Sequence, residues 1–199
     1  MRTSSIKVTS RGEGMEEALE ETEKLGREAE LTDKELFHLR LLAEELFGTM
    51  RSIAGDVAAD YLVEQEGKAF RINLVSKVEL TLEMKQRFIS AASNGENEAG
   101  KGFMGMIRDI IGTVLLPSET GPNMLSLGLA SLGSPTGYGA DNTYTWSMVN
   151  YVNGVKASRE PEAQDAWERL ERSIVASIAD DVKVYIRGTE VKIIISKEF

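Results

Sequence analysis

Tyr61-Leu62-Val63-Glu64-Gln65 and Phe70-Arg71-Ile72-Asn73-Leu74-Val75, joined across Glu66-Gly67-Lys68, read as a β-hairpin. In the second strand Phe70, Ile72 and Leu74 alternate with Arg71 and Asn73. That is the pattern of an antiparallel sheet with one covered face. A second hairpin closes the chain, Val182–Ile186 and Val191–Ile195 about Arg187-Gly188-Thr189-Glu190. Ile6-Lys7-Val8 offers a fifth strand, stopped by Arg11-Gly12.

The segments between these strands are helical in period. Residues 14–29 are rich in helix formers, with Met15, Leu19 and Leu25 on a thin apolar stripe and many glutamates on a solvated face. Thr32-Asp33-Lys34-Glu35 has the spacing of a capping box, and Leu36, Leu39, Ala43, Leu46, Met50 and Ile53 follow at helical period. Phe37, Leu41 and Gly48 fall on the other side, beside Glu44 and Glu45. A mid-helix glycine costs about 1 kcal/mol against alanine, so Gly48 points to a close approach on that face. Further helices are expected at 82–92, after Phe103, and over 160–179. Residues 117–158, rich in Gly, Ser, Asn and Pro, read as a long lid-like or inserted loop. Its aromatics Tyr138, Tyr144, Trp146 and Tyr151 are expected to pack on the body or on another subunit. The predicted fold is α+β: one domain over residues 1–199 in two layers, a mixed, largely antiparallel sheet of about five strands with helices on one face.

Composition narrows the function. A chain of 199 residues, 42% hydrophobic, can bury a substantial core. The net charge of −9 argues against a nucleic-acid surface. The apolar runs are too short for a membrane span, no secretory leader is read, and zero cysteines fit a cytoplasmic setting. With His38 as the single histidine, histidine metal sites and a serine–histidine pair lack material. One segment stands out: Ser93–Ile111 crowds Gly95, Gly100, Gly102 and Gly105 around Lys101 and runs into a helical pattern. Glycines admit a close ligand, and a helix start offers free N–H groups to phosphate.

In the order of its elements and in two short segments the chain resembles the GHKL ATPase superfamily, nearest its anti-sigma-factor serine kinases and histidine-kinase ATP-binding domains. Leu41-Leu42-Ala43-Glu44-Glu45-Leu46-Phe47-Gly48-Thr49-Met50 resembles the family's N-box helix, and Gly100–Ile107 its glycine-rich lid segment. The resemblance implies ATP with Mg²⁺ as ligand. Glu45 or Glu44 would stand at the catalytic position, Thr49 near the metal, and Gly100, Lys101, Gly102 and Gly105 along the phosphates. It further implies that the backbone at 100–105 opens onto the outer flank of the second helix. Two departures stand beside it. The asparagine expected four residues after the glutamate is replaced by Gly48 or Thr49, and the Asp-x-Gly-x-Gly box has no counterpart in Val75–Thr81. A degenerate site in a bacterial regulatory protein, acting on a protein partner or as a homodimer, is the leading expectation. A functional ATP-binding protein is the alternative, and a serine/threonine kinase the third.

Overall fold

The computed structural model describes residues 1–52, 56–78, 103–115, 137–138, 143–158, 167–168 and 170–199. The central hairpin is β2 (Ala58–Glu66) and β3 (Ala69–Lys77), and the terminal one is β6 (Asp181–Arg187) and β7 (Glu190–Glu198). Each turns on a glycine at positive φ, Gly67 at 60° and Gly188 at 57°, a conformation that side chains disfavour. β3 pairs with β7, setting Ile72 against Ile195 and Leu74 against Ile193, so the two hairpins form one continuous surface. With β1 (Ile6–Thr9), β4 (Gly137–Tyr138) and β5 (Tyr144–Ser147), the sheet runs β1-β2-β3-β7-β6-β5-β4.

Every pairing between these strands is antiparallel, where a mixed, largely antiparallel sheet was expected. Six strands have four residues or more and the seventh is a two-residue edge. The additions to the expected five come from the segment read as a loop. There Tyr-Thr-Trp-Ser adds a short strand beside β6, with Trp146 opposite Val184 and both buried. Tyr144 and Tyr151 are buried as well, so these aromatics do pack on the body.

The helices share one face of the sheet. α1 (Met15–Glu28) lies over β1 and β2, and α2 (Asp33–Ser52) lies beside it. α3 (Phe103–Leu115) packs on the other side of α2 and on β6, α4 (Met148–Ala157) on β5 and β6, and α5 (Ile174–Ile178) on α2 and α3. Tyr61, Val63, Ile72, Leu74, Val184 and Ile193 are buried beneath them. The opposite face carries Asp60, Glu64, Arg71 and Lys192, as in a sheet with one solvated side.

Local chemistry sets the helix ends. Glu35 accepts from the Thr32 backbone N–H at 2.7 Å while the Glu35 N–H reaches Thr32 Oγ1 at 3.4 Å, the reciprocal pair that the capping-box spacing predicts. α1 closes with Glu30 in the left-handed region at φ 54°, its N–H on Arg27 O and the Leu31 N–H on Gly26 O. Ser147 caps α4 by accepting from the Asn150 N–H, and Asp181 takes the Val149 N–H at 3.2 Å. Where one helix was expected over 160–179, α5 starts afresh: Ser173 is extended and its hydroxyl accepts the Ala176 N–H at 3.1 Å. The helix expected at 82–92 lies outside the described residues.

Candidate functional site

α2 carries the candidate acidic residues, and its two neighbours divide them. On the α1 side Arg40 donates to Glu23 of α1 through Nη1 and to Glu44 through Nε at 2.8 Å. The two carboxylates, Glu23 first, hold the Arg40 guanidinium still more firmly protonated than usual. Glu44 is therefore an arm of an inter-helix clasp. A pair at (i, i+4) needs only the helix to form, whereas the tie to Glu23 needs α1 in place.

Glu45 lies roughly 140° around the helix from Arg40, on the flank of α2 away from the clasp. Its carboxylate has no hydrogen-bond or ion-pair partner among the described residues, and the side chain is half-buried. Thr49, one turn on, is only 2% exposed, and its hydroxyl donates to the Glu45 carbonyl at 3.2 Å. Such a threonine is turned into the protein. Arg51, also on α2, points its Nη2 at Met15 Sδ, 3.0 Å away.

Gly105 is in the first turn of α3, where backbone N–H groups lack helical partners. Gly100, Lys101 and Gly102 lie outside the described residues. Of the seven residues singled out in the sequence, the structure therefore puts Glu44, Glu45 and Thr49 on one helix and Gly105 on its neighbour. Among the described residues no group of three or more His, Cys, Asp or Glu could hold a metal ion. Among the described residues the oxygen donors at these positions are few for a cation that prefers several: Glu44 is held by Arg40, Thr49 is buried, and the Glu45 carboxylate remains.

Three residues had no functional signal in the sequence yet organise this flank. Glu23 completes the clasp. Thr22 shares a buried 2.6 Å hydrogen bond with Tyr61 OH, fixing α1 to β2. Gly26 lets α2 approach, because a Cβ there would stand 2.6 Å from Leu36 Cδ1. Glycine inside an amphipathic helix was the one available hint for the last.

No protein-family model, curated protein or solved structure matches the chain. The class it defines is an α+β two-layer domain with one antiparallel sheet and a helical layer on one face. Among the described residues no helix is long and apolar enough to cross a membrane.

Proposed function

We propose that this is a GHKL-like bacterial regulatory protein whose nucleotide site has degenerated and which acts in the cytoplasm through contact with a protein partner. The observation that carries the reading is the use of Glu44. At one of the two positions where the resemblance puts a catalytic carboxylate, the side chain is bound by Arg40, itself bound to Glu23. The missing asparagine and the missing Asp-x-Gly-x-Gly box support it from the sequence. Titration calorimetry with Mg²⁺-ATP and Mg²⁺-ADP tests it. No saturable heat at millimolar nucleotide is expected, and saturable micromolar binding overturns the reading.

The alternative, a functional ATP-binding protein, draws support from one feature. The Glu45 carboxylate is uncommitted among the described residues, on the flank of α2 opposite the clasp, and Gly105 begins the neighbouring helix. The same titration separates the two, and nucleotide binding that survives Glu44→Gln but not Glu45→Gln would favour this alternative.

A further inference from the structure

α1 and α2 each contain an interior glycine, and packing among the described residues accounts for Gly26 but not for Gly48. A Cβ at Gly26 would meet Leu36 Cδ1 at 2.6 Å and Leu39 Cδ2 at 3.3 Å, so the approach of the two helices requires glycine there. A Cβ at Gly48 would meet nothing within 4 Å. Glycine weakens a helix interior relative to alanine, and at exposed Gly48 no contact among the described residues offsets that.

Gly48 is in line with a second unusual residue. Phe37 lies about three turns earlier on the same ridge of α2 and is 57% exposed, with half-buried Leu41 between them. The exposed side of α1 is net acidic. It turns Glu16, Glu17, Glu20 and Glu28 to solvent against Lys24 and Arg27. A second copy docked by this face would set acid against acid, which disfavours a homodimer here.

Resting on the reading of the protein as an interaction module, we infer that the outer face of α1 and α2 docks a basic amphipathic helix of a partner protein. The apolar stripe of that helix covers Phe37 and Leu41, and its backbone comes close over Gly48, where a side chain would hold it off. Its lysines and arginines face the glutamates of α1. Apolar anchors with complementary charge around them are how a helix is recognised on a helical surface.

The probe is a synthetic helical peptide of leucine and lysine in amphipathic order, with a scrambled peptide of the same composition as control. Fluorescence anisotropy on the full chain should show the ordered peptide binding about tenfold or more tightly than the scrambled one, and weakening as salt rises. Phe37→Ser and Gly48→Leu should each remove that preference, while Phe37→Leu keeps it; thermal melts confirm that each variant is folded. Equal binding of the two peptides, or an undiminished preference in both Phe37→Ser and Gly48→Leu, overturns the inference. Saturable nucleotide binding with the peptide preference intact would sink the degenerate-site reading and leave this one standing.

Discussion

The two sides of α2 are built to different ends. The side against α1 is closed at every level: Gly26 removes a side chain to admit Leu36, Arg40 ties Glu23 to Glu44, and Thr22 anchors α1 on Tyr61. The outward ridge has an exposed phenylalanine, a glycine with open space around it, and Glu44 at its margin. The closed side explains its own residues through internal contacts. The ridge does not, and a residue that costs stability without internal return is where function is to be sought.

The closed side can be broken most severely at its base. Gly14, at φ 72°, enters α1 with its absent Cβ only 2.0 Å from the Lys7 carbonyl oxygen, a backbone atom. Gly14→Ala should cost about 3 kcal/mol or more in denaturant unfolding, since neither the conformation nor the space accepts a methyl. Gly26→Val comes next, at about 1–3 kcal/mol, because Leu36 is a side chain and can yield. The ridge should answer in the opposite sense. Gly48→Ala should raise stability by about 1 kcal/mol, and a loss instead would mean that the open space is occupied in solution.

Acid and alkali act on different groups of the molecule. The Thr32 N–H and hydroxyl, helped by Lys68, hold Glu35 below its ordinary pKa, and Lys7 with Ser5 does the same for Asp60. Their contribution is present above the usual carboxylate range and is lost as pH falls through the depressed values. It is small, since both groups are near the surface. Tyr61 behaves in reverse: burial raises its pKa above the ordinary 10.0, so its share of stability holds below pH 10 and fades as pH rises beyond it. A spectroscopic alkaline titration should find that Tyr61 ionises only as the chain unfolds.

Much of this fold was legible because its signals are local. The Thr32–Glu35 box, the turns at Gly67 and Gly188, and the alternation through Phe70, Ile72 and Leu74 each lie within a few residues. β5 was hidden because four residues surrounded by Gly, Asn and Ser make too short an alternation, and it is pairing with β6 that makes them a strand. The break at Ser173 was hidden because the apolar period continues across it while a capping serine stops the helix. At the candidate site the residue types were legible and their commitments only half so. Arg40 and Glu44 at (i, i+4) could be paired on paper, whereas Glu23 reaches Arg40 only once α1 folds back on α2.

The central claim is that Glu44 serves the clasp. Its most direct test is a set of four melts: wild type and Glu44→Gln, each with and without Mg²⁺-ATP. The account predicts that Glu44→Gln lowers stability by about 0.5 kcal/mol, equally in both buffers, and that nucleotide shifts neither protein. A rise in wild-type melting temperature with Mg²⁺-ATP that disappears in Glu44→Gln would contradict it.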